Sequence, residues 1–531
     1  MSATHAPPSR RPARSAGGRQ PSDRRRAAAI AGTVAACAIA LAISVAVPAP
    51  RFVLVLALIV ALVLVVALIF WVNLETGVTI LAVYLGTMDG PVKLLSHNQF
   101  ASAGRDVLIA AVSIGAILRI IAKRERVKLP PLTGWVIAFS ALVLIEAANP
   151  KTHGLLKTIG GYRQQLEWIP FFFFGYALMR SKRRFAQMFV ILGVIALANG
   201  IVATYQTQIP VAQLAAWGPG YNEEVNGNTS GEGLVQVTGR KYVVEGEGHV
   251  RPMGLADDSG GGAGIGVIAL PGCLALLAFG GRRRKIYASI LTLGSLVAIF
   301  IGLGRLQVVG SVVAIGAFAL LSASAGRKVT KPLAALLTIA AIAVPFGALF
   351  VSAVGANLFS RYESIEPNRV VETSTEYKEG ALELLPHYIS VDPFGFGLGC
   401  CGPASGFGGS KGGELEGHGV TAETQYNFAE DETGAPGLIL WIALSIEILV
   451  LIIRWLPKVP NVDIRIALAG VFAVFIAHIV MGFRGAFMDT SAAGAYFWYS
   501  FGIAAYWFAG PGRPQIVRRR KRRGQLNEAP A

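Results

Sequence analysis

Residues 421–453 read TAETQYNFAEDETGAPGLILWIALSIEILVLII, and the second half of that stretch decides the fold. From Gly437 to Ile453 the one ionisable residue is Glu447. A transmembrane helix needs roughly 20 apolar residues to cross the hydrocarbon, and only helices or closed barrels satisfy their own backbone there. The run is continuous and does not alternate with period two, so it reads as a helix. The first half poses a chemical question, because Glu423, Glu430, Asp431 and Glu432 crowd the mouth of the run. If GAPGLILW opens the helix, Asp431 and Glu432 stand just ahead of its positive end and act as caps, favoured there by ~0.3–1 kcal/mol. Glu423 lies two turns further out, beyond capping reach, and is left available for chemistry.

The same pattern recurs along the chain. Its 531 residues are 53% hydrophobic and 15% charged, with a mean hydropathy of +0.54. That is a membrane protein's composition. Apolar runs begin near residues 27, 52, 76, 106, 130, 166, 185, 263, 286, 306, 332, 436, 463 and 490. They predict an all-α polytopic bundle of about 14 crossings (12–14) over residues 27–509. The clusters KRERVK, RSKRR, RRRK and GRKVTK and the turn from Lys458 to Arg465 all fall on one side when the N-terminus is inside, as the positive-inside rule requires. The basic tails 1–26 and 510–531 join them, so both termini are expected in the cytoplasm. The formal net charge of +17 is therefore assigned to anchoring beside anionic lipid rather than to nucleic acid. The first tail, rich in Pro, Ser and Arg, is expected to be disordered.

Two long segments remain on the other side, 207–262 with seven acids against three bases and 355–435 with thirteen against four. Long polar loops on a helical scaffold carry working residues. Cys37 and Cys273 sit in apolar runs and Cys400 and Cys401 are adjacent; the chain has no CxxC or HExxH spacing, so no metal site is expected. It also has no phosphate-binding loop, and an enzyme here would draw on a lipid-borne donor. The outer segments hold a sparse set of arginines among glycines: Arg163 in GGYRQQLEWIP, Arg251 in HVRPMGLADDSGGGAG, Arg305 in IGLGRLQVVG, and Arg361 and Arg369 in SRYESIEPNRVVE. A guanidinium fork at the interface matches the oxygens of a lipid-linked diphosphate. The alternative for each is snorkelling or pairing with a loop acid; the short turn at Arg305 contains no acid to pair with. Within the apolar runs, Glu447 lies roughly 15 Å deep at ~1.5 Å per residue and is expected to be neutral and bonded to a neighbouring helix. His478, near the outer end of the next run, is expected to be a satisfied interhelical histidine, with a place at the cavity entrance as the alternative.

In this order, YRQQLEWIPFFFFGYALMRS with ALANGIVATYQTQI, VRPMGLADDSGGGAGIGVIALPGCLAL, GLGRLQVVGSVVAIGAFALL, DPFGFGLGCCGPAS and ETQYNFAEDETGAPGLIL resemble the motifs of the O-antigen ligase and polymerase family. The resemblance covers about residues 100–455. It implies a GT-C-like helical bundle in the bacterial inner membrane and the transfer of a glycan from an undecaprenyl diphosphate carrier onto an acceptor hydroxyl on the outer face, without cofactor or metal. Arg251 and Arg305 match the family's phosphate-facing arginines, and Arg163, Arg361 and Arg369 would hold diphosphate or glycan. The family's ligases place a histidine eleven residues before the glycine of E-x-G; here that position is Glu423, which favours a polymerase and makes Glu423 the expected base, with His418 the alternative. The acceptor is then another glycan or a lipid, and a polymerase leaves room for a chain-length regulator as partner. A flippase or transporter is the competing class, but no internal repeat is present and polarity gathers on one face.

Overall fold

The computed structural model describes residues 73–96, 99–124, 128–152, 154–226, 241–244, 247–258, 260–324, 380–402, 404, 414–415, 418–419, 424–487 and 491–514. In chain order the helices are α1 (Leu74–Thr87), α2 (Asp89–Ser96), α3 (Gln99–Ala122), α4 (Thr133–Glu146), α5 (Leu155–Leu166), α6 (Pro170–Leu178), α7 (Lys182–Gln208), α8 (Val211–Ala215) and α9 (Pro219–Asn226). A hairpin of β1 (Lys241–Val244) and β2 (Glu247–Val250) follows, paired antiparallel with Lys241 opposite Val250. Then come α10 (Gly261–Phe279), α11 (Arg282–Ile301), α12 (Arg305–Ser324) and α13 (Gly380–Val391), and a minimal hairpin of β3 (Glu414–Leu415) and β4 (His418–Gly419). The chain closes with α14 (Gln425–Trp455), α15 (Val462–Met481) and α16 (Ser491–Ala504).

Among the described residues six helices are long and apolar enough to cross a membrane: α7, α10, α11, α12, α14 with its continuation to Lys458, and α15. A seventh crossing results if α1 and α2, bent by 47° at their junction, act as one. The expectation of about fourteen crossings is met only in this coarser form. The runs near 76, 106, 130, 166 and 490 are helices, but α4 and α16 have 14 residues and α6 has 9. The runs near 27, 52 and 332 and both basic tails lie outside the described residues.

The core is built on close helix contact. α10 is the central element, packed by α7, α11, α12 and α15. Small residues let these backbones approach: a Cβ on Gly266 would meet the Ser295 carbonyl oxygen at 2.8 Å, and one on Gly193 the Cys273 sulfur at 3.0 Å. A second layer is aromatic, with Phe172, Trp498 and Phe501 fully buried between α6 and α16. The outer surface is apolar as well, since Leu320 and Ile453 are each 75% exposed. In water such a surface would be an association liability; against lipid it costs nothing.

α14 is broken near its start. Gly434 takes φ 63°, ψ −171°, and Pro436 follows. The backbone groups freed by the break are taken up by the loop after α13: Ala435 N donates to Pro393 O (2.9 Å) and Phe396 N to Asp431 O (2.7 Å). A side chain at Gly434 would collide with the Phe394 backbone at 2.5 Å, so both the conformation and the space demand glycine.

Candidate functional site

The turn after Arg251 is held by two buried amides of α7. Gln206 Oε1 accepts from Met253 N (3.0 Å) and Gly254 N (2.8 Å), while its Nε2 donates to Gly254 O (3.0 Å). Asn199 Oδ1 accepts from Leu255 N (2.9 Å), and its Nδ2 donates to Gly86 O (2.9 Å) in α1. Both side chains are all but sealed from solvent, at 0% and 4% exposure for Asn199 and Gln206. Gly254 has φ 68°, the left-handed conformation the turn needs. Two amides from one helix face thus fix the path of residues 251–255 against α1 and α7.

From that turn the chain runs into a cavity of about 120 Å³. Its wall is formed by Ala256–Asp258 and the start of α10, Leu306 and Gln307 of α12, the α1–α2 bend, and the ends of α15 and α16 that meet around residues 485–487. The polar lining is Asp89, Asp257, Asp258, Gln307 and His478. His478 is 3% exposed, stacks on Phe487 with centroids 5.1 Å apart, and leaves Nδ1 without a hydrogen bond among the described residues. The ring lines the cavity, which was the alternative to a satisfied interhelical histidine.

The cavity's acids are backed by cations. Lys93 Nζ lies 2.9 Å from Asp89 Oδ2 and 2.5 Å from Asp257 Oδ2. Arg105 reaches Asp89 at 3.3 Å and is clasped by Glu167 through Nε–Oε1 (2.5 Å) and Nη2–Oε2 (2.8 Å), with its guanidinium 4.9 Å from the Trp168 ring. Burial alone would raise the Asp257 carboxyl, whose side chain keeps 38% exposure, but the Lys93 ammonium beside it prevails and holds it at about 2.

The expected site residues fare differently. Arg251 is half-buried at the head of the Gln206-held turn, and Arg305 is the exposed first residue of α12, without an ion pair among the described residues. The segments that follow each of them, 256–258 and 306–307, meet in one cavity, although neither arginine is part of its wall. Arg163 Nε is 2.7 Å from Asp106 Oδ2, so this guanidinium pairs with an acid, though one on helix α3 rather than on a loop. His418 pairs with Leu415 in the β3–β4 hairpin. Glu423, Arg361 and Arg369 lie outside the described residues. The helix that follows Glu423 starts on the cavity's rim: Gln425 N donates to Gly482 O (2.8 Å) and Gln425 Oε1 accepts from Phe487 N (2.9 Å).

Asp431 and Glu432 do stand just ahead of the break at Gly434 where the apolar half of α14 opens, but they belong to a further helical segment that the sequence reading did not expect. α14 begins at Gln425, with Thr424 Oγ1 accepting from Asn427 N (3.1 Å), so Glu430, Asp431 and Glu432 fall within its first half and are buried at 0%, 1% and 0% exposure. Glu432 Oε1 accepts from Gly399 N (3.0 Å) and Cys401 N (3.4 Å), and Gln164 and Gln165 of α5 donate to its two oxygens at 3.4 Å each. The Cys400 and Cys401 sulfurs are 3.5 Å apart, and Cys401 Sγ is 3.7 Å from Glu432 Oε1. Glu447 is half-buried in mid-α14.

Asn199, Gln206, Asp89, Lys93, Arg105, Asp257 and Asp258 escaped the sequence reading as site residues. Adjacent charges at Arg105 and Asp106 opening an apolar run, and two carboxamides seven residues apart on one apolar helix, are the signals that would have found the first shell of them. The chain matches no protein-family profile and no curated protein.

Proposed function

We propose that the chain is a membrane glycosyltransferase that moves a glycan from an undecaprenyl-diphosphate carrier onto an acceptor hydroxyl at the outer face of a bacterial inner membrane, polymerising surface polysaccharide. The observation that carries this reading is the shared cavity: the continuation of the Arg251 turn and the first turn of the Arg305 helix form parts of one wall, beside Asp257, Asp258 and His478. In the reaction the bond between the anomeric carbon and the diphosphate oxygen breaks, the acceptor oxygen takes its place, and the acceptor proton passes to a carboxylate. Charge grows on the departing diphosphate, so fixed guanidinium groups stabilise the transition state more than the ground state. Arg251 and Arg305 take that role. Glu423, directly before the helix start on the cavity rim, takes the proton, and replacement of the family ligases' histidine by this acid favours polymerase over ligase.

A transporter reading has one observation of its own, the 47° bend between α1 and α2 beside the buried Asp89, Lys93 and Arg105 network, because broken helices around charged groups also mark transport sites. Purified protein incubated with a lipid-linked repeat unit decides: a ladder of products supports polymerisation, a single transfer supports a ligase, and movement of lipid-linked glycan across vesicles without new bonds supports transport. Within the enzyme reading, Glu423→Gln abolishes transfer and His418→Ala does not; the reverse result moves the base to His418.

A further inference from the structure

Three acids are buried together at the start of α14. Glu430, Asp431 and Glu432 are consecutive and buried, and no ion pair among the described residues involves any of them. The carboxyl groups of Glu430 and Asp431 lie against each other, and a proton or cation must be shared between them for both to stay buried. A carboxylate withdrawn from water is costly unless it gains a proton or a cation. Next to these acids lie two thiols. The ligand atoms of Cys400, Cys401 and Glu432 fall within 4.8 Å of one another.

The geometry points to a metal site: we propose that Cys400, Cys401 and Glu432 bind a thiophilic divalent cation, zinc first among them, pinning the loop after α13 onto the break in α14. Tetrahedral zinc, with bonds of about 2.3 Å to sulfur and about 2.0 Å to oxygen, sets sulfur atoms about 3.8 Å apart and sulfur to oxygen about 3.5 Å. Two of the three separations are 3.5 and 3.7 Å, and the third is within 4.8 Å. The carboxylate is already oriented, because Gly399 N, Cys401 N and the amides of Gln164 and Gln165 fix both its oxygens, and such partners are what hold a metal ligand in place. Two thiols and a carboxylate suit zinc and cadmium and disfavour magnesium and calcium, which take oxygen ligands. The Asp431 carbonyl oxygen, 3.3 Å from Cys400 Sγ, adds a further oxygen beside the thiols. A thiol binds the metal as thiolate, so binding displaces two thiol protons per metal into the buffer. This site is separate from the cavity and independent of the glycosyltransferase reading.

The test is a cadmium chloride titration of the full chain in detergent, after chelator and reductant. One equivalent is expected to produce thiolate-to-metal charge-transfer absorption with release of two protons, and zinc is expected to reverse the absorption. Cys400→Ser with Cys401→Ser removes the signal while Cys37 and Cys273 remain, and Glu432→Gln weakens binding by about tenfold or more. No absorption change in protein whose thiols titrate as reduced after denaturation overturns the proposal. So does a signal that survives in the double serine variant, or a Cys400–Cys401 peptide two hydrogens lighter in freshly purified protein, which would identify a disulfide instead.

Discussion

Gln206 grips Gly254 from both sides, accepting from its N–H at 2.8 Å and donating to its carbonyl at 3.0 Å, across 48 residues of sequence. With the bond from Met253 N, one buried side chain satisfies three backbone groups of the turn that leads from Arg251 into the cavity. A buried backbone group left unpaired costs more than a hydrogen bond gains. Gln206→Leu, close in volume but without the amide, is expected to lower stability by about 2–4 kcal/mol, taking about 1 kcal/mol per lost bond plus desolvation of the abandoned groups. Thermal unfolding in detergent measures it. An unchanged transition would mean that the turn holds itself.

The Arg105–Glu167 pair is bidentate and almost sealed, with side-chain exposures of 9% and 5%. Removing one partner strands a buried charge, whereas replacing both with apolar groups of similar size removes the desolvation cost together with the attraction. Arg105→Ala is thus expected to cost about 3–5 kcal/mol, and Arg105→Met with Glu167→Leu to recover most of that loss. Because Arg105 also reaches Asp89 at 3.3 Å, recovery should be incomplete. Denaturation of the two variants side by side checks the ordering, and a double variant no better than the single one would show that the pair contributes net stability.

How far the sequence carried is clearest in α14. The apolar half, 437–453, is legible because burial in lipid needs only local composition. Its true start at Gln425 is not, because three consecutive acids argue against a buried helix until the loop around Cys401 and the two glutamines of α5 supply partners more than thirty and more than two hundred and sixty residues away. The same holds at the cavity. Arg251 and Arg305 stand out as isolated cations near glycine, and the segments after them do meet, but the acids on the wall, Asp89 and Asp257, are joined through Lys93, 164 residues from Asp257. The number of crossings is less legible: α4 and α6 are apolar but only 14 and 9 residues long, and hydropathy registers an apolar run without fixing whether its helix reaches full spanning length.

Lys93 also sets a pH dependence. Asp257 is held at about 2, below its usual 3.8, so the unfolded chain binds its proton first as the solution is acidified. The stabilisation from this pair is complete above about pH 4 and is lost as pH falls toward 2. Lys93→Met removes the ammonium while burial, which raises the carboxyl, remains. The variant is expected to lose the wild type's advantage across that window and to begin acid unfolding at a higher pH. Unfolding followed by tryptophan fluorescence from pH 6 downward tests this; coincident acid limbs would show that another cation holds Asp257.

Arg305 separates chemistry from folding. It is exposed and without an ion pair among the described residues, so its removal should leave insertion and thermal stability unchanged, within the ±0.5 kcal/mol of an ordinary surface substitution. It stands one residue before the cavity wall at Leu306, beside the place where the proposed function seats the diphosphate. Losing a fixed donor to developing charge costs about 10²–10³ in rate, and lysine offers a point charge where a diphosphate presents paired oxygens. Arg305→Lys is therefore expected to slow glycan transfer by about tenfold or more and Arg305→Ala by about a hundredfold, with KM for the lipid-linked donor changed less than kcat. Because the fold does not depend on this side chain, full activity in both variants could not be attributed to compensation, and it would place the diphosphate elsewhere than at the start of α12.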